Sequence, residues 1–456
     1  MRKNVLRLLA LLSLFVFLLG GVVNAQEPVT ITWFIGLGTG GAPEQLEAQQ
    51  AVVDAFNASH DDIQIEIIVV ENNVSVETLS TLIATGEAPD IVGPVGNQGA
   101  AAFRGNFLDI EPLVESTGYD LSQFPEASVA FQRDEEGTLL GLPLANFPAF
   151  VFYRPALFDE AGLEYPPAAY GEPYVLDGEE VPWDVNTLRE VAMILTVDAN
   201  GNDATMEEFD PENVIQWGFI NQWADPMRQI GTMFGAGSLV DEEGNAVFPD
   251  NWRIAFEWFY NGVWEDHFIP NAAQVGSDLL GAGNAFASGN VAMAQSHLWY
   301  TCCLADTEWD AAPMPSYEGT ITARLHADTF RIMNTTENAE AAFEVLTYLT
   351  GEASLDLLAT YGGMPARPGD QQQFFDKLDE KYTQGVNWDV VKDSLNYPDI
   401  PSHEAWLPNN NKANDRINAF SSLLTSTPGL DLDAEIETLI SDLQAIYDEF
   451  YAQQGS

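Results

Sequence analysis

Near its N-terminus the sequence alternates between strand and helix patterns, and this alternation constrains the fold more than any other feature. Apolar and polar residues alternate with a period of two at 29–33 and again at 63–67, as in half-buried strands. Helical spacing of apolar residues follows each of them, at 46–56 and 79–83, and a third strand begins at 90–92. Parallel strands need long crossover connections, usually helices, so this order predicts an α/β fold with a parallel sheet and right-handed crossovers.

The rest of the chain mixes further helices with irregular segments. The spacing of apolar residues predicts helices from about Val185, over 252–264, from Ala339, and at 436–450. Residues 165–183, rich in Pro, Gly, Tyr and Glu, predict an irregular insertion. A length of 456 residues favours two domains. Because the sequence contains no repeat and no flexible linker, we expect the chain to cross between the domains more than once.

The N-terminus has the three parts of a secretory signal peptide. Basic residues open the chain, an apolar run follows at 8–19, and 23–25 has the small-residue character of a cleavage site. We therefore expect residues 1–25 to be removed and the mature protein to be secreted or periplasmic, on the outer side of the cell membrane. A retained signal anchor is the alternative. No cysteine lies near the cleavage site, so we expect no lipid anchor.

The charge of the chain is strongly negative. There are 17 Lys and Arg residues against 69 Asp and Glu, which gives a formal net charge of −52. Such a surface repels nucleic acid, so we expect no nucleic-acid partner. Phosphate or carboxylate capture normally uses Arg forks or helix N-termini, so the shortage of cations predicts a neutral or cationic ligand.

A glycine-rich loop at 36–41 matches the GxGxxG pattern of dinucleotide-binding proteins. The match is weak, because Pro43 begins the following helix after the glycines and Glu71 lies further along than the ribose-binding acid usually does. We therefore expect no cofactor. A flexible loop at the C-terminal end of a strand is nevertheless where ligands bind in open α/β sheets.

Motifs of nucleophilic or metal-dependent enzymes are absent from the sequence. There is no GxSxG, and His403-Glu404 lacks the second His of HExxH. Residues 198–209 resemble a calcium loop but lack its sixth-position Gly and carry Phe209 where Glu is required, so we interpret them as a polar turn. We expect no metal site.

The adjacent pair Cys302-Cys303 is either two buried thiols or a strained vicinal disulfide.

Five stretches, in the same order as in a known family, are similar to its motifs. They include a Pro-Asp motif after a helix, a Leu-Phe-x-x-Ala-Gly-Leu helix, a Pro-x-Trp-Asp helix start and a Phe-x-x-Gly-x-x-Ala-Met segment. The stretches lie at 82–92, 137–163, 181–196, 285–299 and 330–354. The sequence thereby resembles the extracellular solute-binding proteins of ABC importers, the family 1 group that includes maltose- and oligosaccharide-binding proteins. It departs from them at Arg154, where Asn is common, in the 165–182 insertion and in the cysteine pair.

The resemblance implies a two-lobed periplasmic-binding-protein-like fold of type II, with a ligand cleft and a hinge between the lobes. Lobe I would contain 26–145 and 318–368, and lobe II would contain 146–317 and 369–456. A monomer of this kind binds a small neutral carbohydrate, closes on it and delivers it to the permease subunits of an importer without any chemistry. The alternatives are an exported glycan-acting hydrolase, which would need two carboxylates across the bound sugar, and a receptor for a peptide or polyamine. An acidic surface-layer protein would predict repeats, which are absent.

The positions of the family motifs also imply a set of ligand-binding residues. Trp299 and Trp406 are predicted to be stacking platforms for a sugar ring on lobe II, with a buried core position as the alternative for each. The other candidates lie on lobe I, near the hinge and on lobe II: Gly38, Thr39, Asn97, Gln98, Arg324, His326 and Asp328; Asn146 and Phe147; Trp223 and Asp225.

Overall fold

The computed structural model describes residues 28–134, 137–223, 226–235, 237–304, 308–399 and 406–454. The strands are β1 Val29–Ile35, β2 Ile63–Val69, β3 Ile91–Val95, β4 Leu142–Tyr153, β5 Tyr174–Leu176, β6 Glu179–Val181, β7 Val197–Asp198, β8 Val214–Asn221, β9 Val291–His297, β10 Asp310–Ala312, β11 Ser316–Tyr317, β12 Thr320–Ile321, β13 Leu325–Ile332 and β14 Met364–Pro365.

The α-helices surround these strands. They are α1 Leu46–Ser59, α2 Asn72–Thr85, α3 Asn97–Ala102, α4 Glu111–Thr117, α5 Glu126–Ala130, α6 Pro155–Ala161, α7 Val185–Ile194, α8 Pro226–Met233, α9 Asp250–Trp264, α10 Ala272–Val275, α11 Ala339–Leu349, α12 Ser354–Tyr361, α13 Pro368–Lys381, α14 Trp388–Asp393, α15 Asn410–Ser426 and α16 Leu432–Gln454. Short 3-10 helices lie at Pro43–Gln45, Leu121–Gln123, Pro211–Asn213, Asp278–Gly283, Phe286–Ser288, Leu298–Cys303 and Ser394–Asn396.

The main sheet has the strand order β2-β1-β3-β13-β4-β9-β8-β7. Strand β1 runs parallel to β2 and β3, as the strand–helix alternation predicts, whereas β13 is antiparallel to β3 and β4. The long strand β4 belongs to both halves of the molecule: residues 142–148 pair with β13, and residues 149–153 pair with β9. The predicted α/β class is confirmed.

The apolar side chains separate into cores on the two sides of this long strand. One side is built from the first three strands with α1 and α11, and it contains Phe147 and Phe330. The other contains Ala149 and Ala323, together with β8, α9, α15 and α16. The chain therefore crosses from one side to the other within β4, returns near the start of β13, and crosses again between Tyr361 and Met364.

The Pro-Asp motif at the end of the first family stretch leads from helix α2 into strand β3 and holds β3 beside β1. Helix α2 ends at Thr85 and is capped by Gly86, whose φ of 77° is left-handed and suits a residue without a Cβ atom. The chain then reaches Asp90, whose carboxylate accepts hydrogen bonds of 2.9 Å from both the backbone N–H and the hydroxyl of Thr32 on β1. Asp90 thus fixes the start of β3 beside β1, which places the ends of both strands at the same edge.

One local prediction is wrong. Within the segment that we expected to be irregular, β5 and β6 form an antiparallel hairpin. Asp177 and Gly178 form its two-residue turn, with φ angles of 53° and 81°, which is the geometry that an Asp-Gly pair favours. Val53 and Phe56 on the apolar face of α1 are buried, whereas Leu46, the first residue of that helix, is 39% exposed.

The loop after β7 is a polar turn, as predicted. One carboxylate oxygen of Asp198 accepts hydrogen bonds from the backbone N–H groups of Asn200 and Asn202, and the other accepts one from Asp210. Burial raises the pKa of Asp198, but the hydrogen bonds together lower it by more. The pKa of this carboxyl group is therefore well below its usual range. None of the helices that the structure describes is both long enough and apolar enough to cross a lipid bilayer.

Candidate ligand-binding cleft

A cavity of about 1060 Å³ lies between the two sides of the molecule. Its walls come from the loop after β1, the first turns of α2 and α3, the hinge strands β4 and β13, and helix α15. We call this cavity the cleft; its lining residues are Leu37, Gly38, Thr39, Asn72, Asn73, Ser75, Val76, Glu77, Gly96, Gln98, Gly99, Ala102, Phe147, Trp223, Trp299, His326, Asp328, Asn410, Asn411, Asn414, Asp415 and Asn418.

The glycine-rich loop forms one wall because its backbone packs closely against neighbouring strands. A Cβ atom on Gly38 would lie 2.8 Å from the carbonyl oxygen of Pro94, and one on Gly36 would overlap the carbonyl oxygen of Val70. Asn72 holds the loop by donating from Nδ2 to the carbonyl oxygen of Gly36 at 3.0 Å. The glycines therefore allow backbone to line the cleft, and no phosphate site follows from them.

The hinge strands form the floor of the cleft. Phe147 on β4 and His326 on β13 are register partners. Asp328, two residues further along β13, is buried and accepts a 3.3 Å hydrogen bond from the hydroxyl of Thr39 in the glycine loop. The edge of the His326 ring meets His297 at 4.2 Å between centroids, and His297 in turn stacks on Trp299 at 5.7 Å. Packed rings thus position Trp299.

Trp223 is a large apolar side chain that stays accessible in the cleft. It is 46% exposed, and its backbone is left-handed with φ of 52°. The indole N–H donates to the carbonyl oxygen of Gly283 at 2.8 Å. The ring also meets Tyr300 edge-on, with centroids 5.3 Å apart and an interplanar angle of 87°. These contacts fix the ring in place while leaving surface available for a ligand.

Helix α15 contributes a row of carboxamides that the sequence analysis missed. Asn410, Asn414 and Asn418 are four residues apart and line the cleft, while the apolar face that includes Ile417 is buried in the core. The Nη2 atom of Arg228 donates to Oδ1 of Asn414. The Asn-rich stretch at 409–418 carries this spacing in the sequence and could have suggested a polar helical face.

Helix α2 adds further polar residues that were also missed: Asn72, Asn73, Ser75 and Glu77. They follow the end of β2 directly, and the ends of neighbouring parallel strands meet at one edge of the sheet. Their position directly after a predicted strand could therefore have identified them from the sequence as candidates for the cleft.

The structure brings eight of the predicted ligand residues together in the cleft. They are Gly38, Thr39, Gln98, Phe147, Trp223, Trp299, His326 and Asp328. Their contact with a ligand stays a prediction, and Asp225 lies outside the described residues.

The other predicted residues are placed elsewhere. Asn97 is half-buried at the start of α3 beside the cleft, and Asn146 lines a different cavity. Arg324 is buried because its backbone pairs with β4 at the hinge, and its Nη1 atom donates to Oε1 of Gln229 at 2.7 Å.

Trp406 lies in a neighbouring cavity of about 640 Å³, where the guanidinium of Arg104 lies 4.4 Å from the centre of its ring. The Cys302 side chain lies outside the described residues, so the vicinal disulfide with Cys303 stays a prediction.

The cleft offers hydrogen bonds and aromatic surface, with acidic but no strongly basic groups among its described lining residues. Its acids are Glu77, Asp328 and Asp415. Burial raises the pKa of the nearby Tyr361, and the proximity of Asp328 raises it further, so this hydroxyl stays protonated. Among the described residues, no group of His, Cys, Asp and Glu is arranged to hold a metal ion. The arrangement suits a polar, uncharged or cationic ligand with an apolar face.

Solved structures with the same fold come from several bacteria. UspC of M. tuberculosis is 22% identical, with a TM-score of 0.68 over 92% of this chain and 100% of its own. Lmo0181 from Listeria monocytogenes, an ABC substrate-binding protein solved with cycloalternan, is 19% identical, with a TM-score of 0.68 over 94% of this chain and 100% of its own. Maltose-bound MalE3 of T. maritima is 18% identical, with a TM-score of 0.67 over 92% of this chain and 100% of its own. No curated protein sequence is significantly similar to this chain.

These neighbours define the fold class of the chain: a two-lobed α/β fold. The sequence profile described as bacterial extracellular solute-binding protein matches residues 51–385, which is more than half of the chain. The chain belongs to that family, as its motifs predicted.

Proposed function

We propose that the protein is the secreted substrate-binding subunit of an ABC importer and that it binds a neutral carbohydrate in the cleft. One observation carries the proposal: the exposed, fixed indole of Trp223 lines the same cavity as the carboxamide row of α15. A sugar ring has a flat apolar face that packs on an indole, and hydroxyls that both donate to and accept from carboxamides. The protein carries out no reaction on the bound sugar.

Delivery to the permease depends on hinge closure in this proposal. In this proposal lobe I contains about 26–145 and 318–368, lobe II contains about 146–317 and 369–456, and β4 and β13 form the hinge. The cores move the crossings by a few residues, because Phe147 packs with lobe I whereas Ala323 and Met364 pack with lobe II. Strands that are continuous across a hinge can bend with small dihedral changes while each core stays packed. The ligand would contact both lobes, so that binding favours the closed form that the permease recognises.

The printed names of structural neighbours support a carbohydrate ligand. They include complexes with cycloalternan, with alpha-D-tagatose and with maltose. Those ligands belong to those proteins, and at 18–19% identity they support the ligand class rather than a particular sugar.

A panel of ligands in a thermal-unfolding assay tests the proposal. The panel contains neutral mono- and oligosaccharides, the matched uronates and sugar phosphates, and spermidine. At a concentration of 100 times its dissociation constant, a ligand adds about 2.7 kcal/mol of stability and raises the Tm. We expect a neutral carbohydrate to raise the Tm, and its uronate or phosphate to do so much less, because the described lining has acids but no Lys or Arg.

Other outcomes of the panel separate the competing functions. A response to spermidine alone would favour a polyamine receptor, for which Glu77, Asp328 and Asp415 are the supporting observation. Preference for a uronate over its neutral analogue would contradict the proposal. Release of reducing sugar from an oligosaccharide would instead indicate a hydrolase.

We also propose that the mature protein begins at about Gln26, is monomeric outside the cytoplasm, and has no lipid anchor and no nucleic-acid partner. Cleavage after Ala25 would remove the basic and apolar parts of the signal. N-terminal sequencing of protein isolated from its native host should give a start near Gln26. An intact Met1 would mean that the segment is a retained anchor.

A further inference from the structure

A second cavity, of about 460 Å³, lies on the opposite side of the hinge strands from the cleft. Phe147 and His326 form a register pair of β4 and β13 that lines the cleft, whereas the next pair, Asn146 and Ala327, lines the second cavity. Successive side chains of a strand point to opposite faces of a sheet, which explains this division. The 395–399 segment closes the second cavity from the other side of the molecule.

The walls of the second cavity are mainly apolar. Phe131, Pro143, Leu325, Leu395 and Pro398 contribute to them. The volume falls within the range of about 300–1,000 Å³ that is typical of small-molecule sites. Apolar walls offer water few hydrogen-bonding partners, so an apolar molecule can displace water at low cost. The carboxamide-rich cleft and this cavity therefore suit different kinds of ligand.

A buried polar side chain faces this cavity with its hydrogen-bonding capacity unused. Asn146 is only 7% exposed, and no other described residue forms a hydrogen bond with its carboxamide. Three other polar side chains of the lining are engaged: Gln371 donates from Nε2 to the carbonyl oxygen of Pro365 at 3.1 Å, Oδ1 of Asp399 accepts from the backbone N–H of Leu325 at 2.8 Å, and Oε1 of Gln132 accepts from Nη2 of Arg331 at 3.4 Å. Ser128 is the remaining polar side chain among the described lining residues. Neither polar atom of Asn146 is among the fully enclosed side-chain atoms that lack a partner, so the carboxamide keeps contact with the space of the cavity. A ligand hydroxyl that bonds to it can replace water there.

The charges restrict the ligand further. The described lining residues include one carboxylate, that of Asp399, and no Lys or Arg. An anion would lose its water without gaining a cationic partner. We propose that the second cavity binds a neutral, largely apolar small molecule that carries a hydroxyl group, with the hydroxyl hydrogen-bonded to Asn146. The proposal is independent of the carbohydrate function of the cleft.

Ligand-observed NMR titration of the mature protein tests the site, with phenol and cyclohexanol as neutral probes and benzoate as the anionic counterpart. We expect at least one neutral probe to bind saturably, and benzoate to bind at least about tenfold more weakly because of its charge. Asn146→Leu, which keeps the approximate size but removes the polar group, should weaken binding about three- to tenfold, the range for one neutral hydrogen bond. Circular dichroism checks that each variant is folded.

Two further variants locate the probe. Ala130→Trp fills the cavity from its exposed rim, where folding is least affected, and should abolish binding. Trp223→Ala alters only the cleft and should leave probe binding unchanged. Absence of saturable binding by both neutral probes in the wild-type protein overturns the proposal. So does binding that survives Ala130→Trp, binding that is lost in Trp223→Ala, or an unchanged affinity in Asn146→Leu.

Discussion

Trp223→Ala should weaken binding of the best carbohydrate from the thermal panel by about 1–3 kcal/mol, or roughly 5- to 150-fold, while the Tm of the ligand-free protein stays nearly unchanged. The indole is 46% exposed, so its truncation removes little buried surface from the empty protein. The same surface becomes buried when a sugar ring packs on it. Alanine keeps the Cβ atom at this left-handed position, so the backbone cost is similar in both proteins. Titration calorimetry gives the affinity, and scanning calorimetry gives the Tm.

Trp252→Ala is the matched control, because that indole is 1% exposed and packs edge-on against Phe256 in the core. It should cost about 3–5 kcal/mol of stability.

Trp299→Ala should behave like Trp223→Ala with a smaller loss of affinity, since part of that ring packs against both sides of the hinge. Trp406→Ala should have the smallest effect, because its ring faces Arg104. A large fall in the Tm of ligand-free Trp223→Ala with affinity retained would show that Trp223 is a structural residue.

Gly218→Ala should destabilise the protein by about 3 kcal/mol or more, the upper part of the range for overpacked cores. Gly218 lies on β8, where α7 packs on the strand so closely that a Cβ atom would overlap the carbonyl oxygen of Ala192. The same region is fixed by a 2.9 Å hydrogen bond from the Gly218 N–H to the hydroxyl of Thr196. The helix must therefore move away from the strand, which opens the core around Leu188 and Phe219. Chemical and thermal unfolding measure the loss.

Gly276→Ala provides the control for this substitution. Gly276 has an ordinary right-handed helical conformation, with φ of −75°, and the nearest atom to an added Cβ is the carbonyl oxygen of Ala272 at 3.5 Å. We expect its stability to stay within about 0.5 kcal/mol of the wild type. Equal stability of the two variants would mean that α7 can shift on β8 without loss of packing.

Much of the local structure, and the family, follow from the sequence alone. Periodicity near the N-terminus predicts β1 to β3 and their parallel order, because alternation and helical spacing are local consequences of one buried face. The Asp177-Gly178 turn was equally local, and its hairpin could have been predicted from the Asp-Gly pair. Motif order was sufficient for the family, since the motifs mark strand ends and helix caps such as Asp184, which accepts from the N–H groups of Asn186 and Thr187.

Tertiary structure alone decided which of these residues meet in the cleft. Eleven tryptophans are equivalent by composition, yet packing against Tyr300 leaves Trp223 exposed while Trp252 is enclosed. The asparagines of α15 became cleft residues because the opposite face of that helix packs on α9, a contact between segments far apart in sequence. Along β13, the alternation of side chains between the two faces of the sheet separates His326 from Ala327. Only the packing of the rest of the molecule around β13 places the cleft at the face of His326 and the second cavity at the face of Ala327. A local pattern fixes which residues share a face, whereas the surroundings of that face depend on long-range packing.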